Sequence, residues 1–328
     1  MLSLDKLMQK VNSKYYKQQK PTLYYDFLTY TQSKKNLLGQ ACASSFYSHL
    51  KFSKNKKLNV LEIGVGNGNF AFSFLEKLKT TDKIFLKKVN YFLADFSIPL
   101  LNLASKNLEK FSKFCTIKNI LFDANNFSKF KLKEEFDCVL ANELLSDLAA
   151  KIFVKKEDNC VYEVYYNKNL NFQVSNKKKK LSKIENRVFS YFPKNFFIPI
   201  NFLAKNLIFF LSKKLKKTGY MQFFDYGFYK KEDFILDQED WNKFIVRKYG
   251  EQITVDLNFY YLFQSLKFKK IFSKVLRQKE YIKNSLSQKI SLVQRKNGLN
   301  YSFKKEEFEE EDYFYTIFLS KSNKKFFK

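Results

Sequence analysis

Apolar and polar positions alternate along the chain in blocks, short apolar runs followed by longer stretches with helical spacing. "LNVLEI", residues 58–63, predicts a buried strand that stops at Gly64. "NFAFSFLEKLK", 69–79, puts Phe70, Phe74, Leu75 and Leu78 on one helical face. "VNYFLADFS", 89–97, predicts a second strand ending at Asp95. "IPLLNLASKNLEKF", 98–111, has an early proline and helical spacing, so a helix starts near Ser97. "FCTIKNILFDA", 114–124, reads as a third strand, ending at Asp123. "FDCVLANELL", 136–145, reads as a fourth that enters a turn or helix at Asn142. Strands and helices in this alternation predict a parallel α/β sheet with right-handed crossovers.

The pattern changes after residue 150. "NCVYEVYYNKNLNFQVS", 159–175, predicts a β-hairpin around "NKN". "NKKKKLSK", 176–183, reads as a solvated basic loop, and a long apolar helix is expected around 200–217. "TGYMQFFDYGF", 218–228, predicts another buried strand, with Asp225 inside it. Helices are expected over roughly 256–297, a surface turn in "KKEEFEEED", 304–312, and a last strand in "DYFYTIFLSK", 312–321.

Composition bounds the rest. The chain has 328 residues and is 45% hydrophobic, enough for one large or two modest globular domains. A net charge of +28 calls for a polyanionic partner at first sight. Its source weakens that reading. Of 60 basic residues only Arg187, Arg247, Arg277 and Arg295 are arginine, whereas nucleic-acid readers favour arginine for bidentate contacts. Lys, Asn, Phe, Tyr and Ile are abundant and Ala, Gly, Pro and Arg scarce, the signature of AT-rich coding sequence. Nucleic-acid binding stays open but is not favoured. Cys42, Cys115, Cys138 and Cys160 have no metal-site spacing and read as reduced thiols. The single histidine, His49, reads as a helix residue and argues against a His-based metal site or a Ser-His-Asp triad, so no metal is expected. The most apolar stretch, 195–214, is interrupted by Pro199, Asn201, Lys205 and Asn206, so no membrane insertion is expected. The N-terminus has no signal-peptide core and carries Asp5 but no arginine, which points to a cytoplasmic protein rather than a mitochondrial one.

Glycine numbers only 8, yet Gly64, Gly66 and Gly68 fall in one turn directly after the first strand, with Glu62 before them. Such a turn lets a cofactor lie against bare backbone. Acidic or amide residues then follow at successive strand ends: Asp95, Asp123 with Ala124, and Asn142. Nicotinamide cofactors are polyanions and disfavour such a set. S-adenosylmethionine (SAM) carries an ammonium, a sulfonium, two ribose hydroxyls and an adenine amine, all served by carboxylates and carbonyls. Asp95 would take the ribose hydroxyls and Asp123 the adenine amine. Ala124 would leave the ring room, and Asn142 would stand near the methyl group. Each has a plainer alternative: Glu62 and Asp123 could be turn or cap acceptors.

These segments resemble the MidA-like methyltransferases, which include the mitochondrial arginine methyltransferase that assists respiratory complex I assembly. The resemblance spans roughly 22–320 and rests on "YYDFLT" (24–29), Gly39, "EIGVGNG" (62–68), "ANELLSDLA" (141–149), the hairpin, "FFDYGF" (223–228), "GEQITVDLNF" (250–259) and "RQKEYI" (277–282). The chain departs from the family pattern at Ser146, Ala149, Asp256, Asn258 and Arg277, all in the half expected to meet substrate. The resemblance implies a seven-stranded class I SAM-dependent methyltransferase sheet, Rossmann-like, with the hairpin and helices as elaboration. It also implies methylation of a protein acceptor at arginine, linked to respiratory complex assembly. An RNA methyltransferase or a non-catalytic assembly factor are the alternatives. Residues 1–57 are expected to form a helical and loop segment packed on the core. The methyltransferase domain is expected over 58–328, with a substrate-side insertion at about 151–217. Glu143, beside the expected methyl group, is the first candidate catalytic carboxylate and Asp225 the second; capping the next turn is the plainer alternative for Glu143.

Overall fold

Helices α1 (Leu4–Lys17) and α2 (Leu37–Leu50) precede strand β1 (Leu58–Ile63), helix α3 (Asn69–Thr81), strand β2 (Val89–Asp95), helix α4 (Ile98–Leu108) and strands β3 (Thr116–Leu121) and β4 (Phe136–Asn142). The computed structural model describes residues 1–17, 36–130, 132–234, 236–287, 291–295, 298–302 and 314–320. "YYDFLT", 24–29, and "KKEEFEEED", 304–312, lie outside them. Local signals set the boundaries. The Ser97 hydroxyl caps α4 by accepting from the Leu100 N–H at 3.4 Å, and Pro99 sits in the first turn, where its missing N–H breaks no bond. Strand β3 is shorter than the expected 114–124. It ends at Leu121, because Asp123 folds the chain into a turn, accepting from the Asn125 N–H at 2.8 Å and Asn126 Nδ2 at 2.6 Å. Helix α2 crosses α3 at close range. A Cβ on Gly39 would lie 2.8 Å from both the Phe70 carbonyl oxygen and Ser73 Cβ. Asn36 joins the two helices, accepting from the Gly39 N–H at 2.7 Å and donating to the Asn69 carbonyl at 3.2 Å.

A second, antiparallel sheet is built from β5 (Lys151–Lys155), β6 (Val161–Tyr166), β7 (Phe172–Lys178) and β8 (Phe197–Ile200), in the order β7-β6-β5-β8, with Leu2–Ser3 paired to the end of β6. Strands β6 and β7 are the expected hairpin. The basic stretch expected as a loop from 176 completes β7 as far as Lys178. Among the described residues β7 pairs with β6 alone, and most of its length is exposed. Helix α5 (Lys183–Tyr191) starts at a capping box of Ser182 and Glu185. The helix expected over 200–217 is only α6 (Phe202–Ser212). Before it, Pro199 lies in β8, an edge strand that tolerates the missing donor. After it, Leu215 opens the 14-residue strand β9 (Leu215–Phe228). The region 256–297, expected as helical, is mixed. It holds β10 (Leu257–Asn258), α7 (Phe259–Phe268), β11 (Phe272–Arg277), α8 (Gln278–Leu286) and Ser291–Arg295, which pairs antiparallel with Gly298–Ser302 just beyond it. Strand β11 exists because β12 (Phe314–Ser320), expected from its own pattern, lies alongside it from Phe272↔Ser320 to Arg277↔Tyr315.

The main sheet runs β11-β12-β9-β4-β1-β2-β3, seven strands as the resemblance implies, and β10 adds to the end of β9. Pairing is parallel from β9 through β3, and β12 is antiparallel to both its neighbours. Parallel strands bring their carboxyl ends to one edge, where Ile63, Asp95, Leu121, Asn142 and Phe228 lie. Alternation then divides the core. Val60, Tyr91, Leu93, Cys138 and Leu140 pack with α2, α3, α4 and α8, whereas Leu61, Phe92, Val139 and Met221 pack towards α6 and the second sheet. Cys42, Cys115 and Cys138 are buried free thiols. Among the described residues no helix is long and apolar enough to cross a membrane.

Candidate active site

The carboxyl edge of the sheet gathers the glycine turn, Asp95, Asn142 and Glu143. Gly64, Gly66 and Gly68 all adopt left-handed backbone, with φ of 73°, 53° and 79°. Side chains other than glycine rarely take that conformation, so a run of three is a turn only glycine makes cheaply. Space adds to the constraint: a Cβ on Gly68 would lie 3.0 Å from the Ala104 backbone of α4, and one on Gly64 3.1 Å from Leu144 Cδ1. Asn107 on α4 holds the turn from the other side, donating to the Asn67 carbonyl at 2.7 Å. Asp95 is 6% exposed and accepts from the Ser97 N–H at 2.9 Å. Burial raises its carboxyl to about 6, against the pull of the Ser97, Gly66, Phe96 and Val65 N–H groups. The Gly66 and Val65 contributions place the carboxylate against the glycine turn.

Asn142 ends β4, and its Oδ1 is buried with no partner, while its Nδ2 donates to Glu143 Oε1 at 3.1 Å. Glu143 is half-buried and left-handed, φ 48°. Its backbone is held by β9 through its N–H to the Phe224 carbonyl at 2.8 Å. Asp225 does not join it at the surface of the crevice. It is fully buried and points to the opposite face of β9 from Phe224, accepting from the Ser146 N–H and from the Tyr226 N–H, each at 3.0 Å. Burial pushes its carboxyl up to about 7. The expectation that Asp225 is a second substrate carboxylate is therefore corrected: both oxygens are engaged by backbone inside the fold.

Two cofactor candidates also sit differently from expectation. Glu62 is 3% exposed and turned inward beneath α2 and α3, where the Tyr91 hydroxyl donates to Oε2 at 2.6 Å. Burial raises it to about 8 despite that bond, and the Asp95 charge pushes in the same direction. It supports the strand under the turn rather than lining the crevice. Asp123 is half-buried and lies two residues past β3, already bonded within its own turn; Ala124 beside it is buried. Further acceptor capacity remains on its oxygens, since a carboxylate has about four lone-pair sites.

The residues present fit SAM. Three left-handed glycines leave a cradle of bare backbone, Asp95 supplies acceptor oxygens beside it, and the buried Asn142 Oδ1 awaits a donor. Gly64, Gly66, Gly68, Asp95 and Asn142 would hold the cofactor, with Asp123 and Ala124 at its adenine end. Asn107, Tyr91 and Leu144 also shape the site and escaped sequence reasoning. No local spacing marks them, because each acts across a tertiary contact.

Residues 37–260 match the model of a family described as "putative S-adenosyl-L-methionine-dependent methyltransferase". The structure is similar to the crystal structure of an uncharacterized protein from Burkholderia thailandensis, at 15% identity and a TM-score of 0.62, covering 97% of this chain and 87% of that one. It is also similar to a superfamily member from the same organism bound to S-adenosyl-homocysteine, at 13% identity and a TM-score of 0.63, with the same coverage. No curated protein matches the chain.

Proposed function

The chain belongs to the family of SAM-dependent methyltransferases whose model it matches, with the class I α/β fold and SAM as its cofactor, and from that premise we propose that it methylates protein arginine, with Glu143 as the carboxylate that meets the acceptor. When bound, SAM supplies a methyl group made electrophilic by its sulfonium. The work left to the chain is to present a nucleophile. A guanidinium is planar, always charged at neutral pH and poorly nucleophilic. Glu143 orients it through a paired hydrogen bond and offsets its charge as a nitrogen lone pair turns towards the crevice. The observation that carries this reading is the placement of Glu143: a half-buried carboxylate in a left-handed backbone at the end of β4, next to Asn142. Strained non-glycine residues cluster at functional sites. By the resemblance, subunits of a respiratory complex are the acceptors to test first.

Labelled SAM incubated with cell extract, separated into protein and RNA, tests the acceptor class. Label in protein arginine is expected; label in RNA favours the alternative reading. Glu143→Gln should melt like wild type and bind S-adenosyl-homocysteine, while turnover falls by roughly 100-fold, about 3 kcal/mol of transition-state stabilisation. Full-rate transfer by that variant would remove Glu143 from the mechanism.

A further inference from the structure

The turn after β4 carries Glu143, and it is not self-supporting. A non-glycine residue at φ 48° is strained, so neighbours must hold it there. Two consecutive residues of β9 do so. The Phe224 carbonyl accepts from the Glu143 N–H at 2.8 Å, and Asp225 Oδ2 accepts from the Ser146 N–H at 3.0 Å. The first grip is ordinary sheet bonding continued one residue past the strand. The second comes from a side chain, a fully buried carboxylate. Asp225 is itself fixed, because its other oxygen accepts from the Tyr226 N–H at 3.0 Å. Between the two grips lies Leu144, whose Cδ1 would touch a Cβ on Gly64 at 3.1 Å, so the same turn rests on the cofactor loop. From the opposite side Asn12 of α1 donates to the Asp147 carbonyl at 3.2 Å. A buried carboxyl is costly to keep unless its bonds are needed, and here one bond anchors it to its own strand while the other goes to the backbone of this turn.

We propose that Asp225 is a positioning residue: its carboxylate clamps the Ser146 N–H, and the clamp holds Glu143 in the left-handed conformation from which it meets the acceptor. This rests on the reading of Glu143 given above. The Asp225 carboxylate touches neither cofactor nor acceptor. Its effect reaches the reaction through three residues of backbone.

The test uses the full chain as wild type, Asp225→Ala, Asp225→Asn, Glu143→Gln and the double variant Asp225→Ala/Glu143→Gln. Amide hydrogen exchange across 143–147 reads the clamp, calorimetry with S-adenosyl-homocysteine reads the cofactor site, and labelled SAM with an unfractionated protein extract reads transfer. In wild type the Ser146 amide should be protected well beyond an exposed turn amide. Asp225→Ala should speed exchange over 143–147 by roughly tenfold or more, leave β4 and β9 protected, change cofactor affinity less than about threefold, and lower transfer by roughly tenfold or more. Asp225→Asn keeps an acceptor for Ser146 and should restore most of the transfer. In the double variant, loss of Asp225 should add little to Glu143→Gln, since the two act through one group. Effects that multiply independently, or a cofactor affinity that falls in step with transfer, overturn the proposal. If Asp225→Ala does not fold, wild type and Asp225→Asn still decide: an unprotected Ser146 amide in wild type overturns it. If even wild type moves no label to arginine, the proposed reaction fails, whereas exchange over 143–147 still shows whether the clamp exists.

Discussion

Asp95 and Glu62 stand on the same face of neighbouring strands, yet their carboxyls serve different ends. Asp95 touches the glycine turn and titrates at about 6. The ribose-binding role expected of Asp95 is served best by the ionised form, which offers the most acceptor sites, so S-adenosyl-homocysteine should bind more tightly as pH rises through about 6. Asp95→Ala should cost on the order of 2–4 kcal/mol of affinity at pH 7.5 and Asp95→Asn less, both read by calorimetry. Glu62 titrates at about 8 rather than its ordinary 4.5. Between those values the folded chain holds a proton that the unfolded chain has lost. The stability it contributes is therefore complete below pH 4.5, falls as pH rises to 8, and is flat above. Thermal melts should show a stability decline across that window, and Glu62→Gln should flatten it by on the order of a few kcal/mol. The placement of the glycines, Asp95 and Asn142 at one edge of the sheet was legible because each sits in a local pattern at a strand end. The inward turn of Glu62 and the backbone clamp of Asp225 were not. Both depend on which elements pack over each face of a strand, and a run that is apolar on both faces hides that.

Elements were legible in proportion to their own periodicity. Strands β1, β2 and β4 and helices α3 and α4 stand where their patterns put them, since each carries its own start and stop signal. Strand β11 does not: "FSKVLR" mixes charges into a half-buried edge and becomes a strand only through Tyr315 to Ser320 beside it. Helix α6 is cut short for a similar reason, because Leu215 pairs with Phe136 and so belongs to the sheet. The α2–α3 crossing gives the sharpest element-scale prediction. Gly39→Ala places a methyl 2.8 Å from the Phe70 carbonyl, and backbone cannot yield as a flexible side chain would. The helices must separate. Stability should drop by about 1–3 kcal/mol in denaturant melts. Because Gly68 of the glycine turn caps α3, cofactor affinity should fall with it. A variant as stable as wild type, with unchanged affinity, would show that the crossing has slack.

At the scale of the whole molecule, the excess of lysine has local uses that need no polyanion. The Lys110 ammonium lies 4.1 Å from the centre of the Phe72 ring and pairs with Glu76 at 2.8 Å, so its charge is used within the fold. The second sheet shows another use. Strand β7 is exposed over most of its length and has no neighbour on its outer side among the described residues, so it offers a row of backbone donors and acceptors to any passing chain. Such an edge templates intermolecular pairing and, at high concentration, precipitation. Lys177 and Lys178 end that strand, and a second copy docking edge to edge would have to crowd and desolvate these two charges. On this account the charge acts as a solubility guard, set where the fold is open. Lys177→Thr with Lys178→Val should leave melting nearly unchanged but produce concentration-dependent light scattering; a variant as clear as wild type at millimolar concentration would assign the guarding to another feature. A crowded compartment would then select for lysine at this edge even where coding bias had supplied it everywhere.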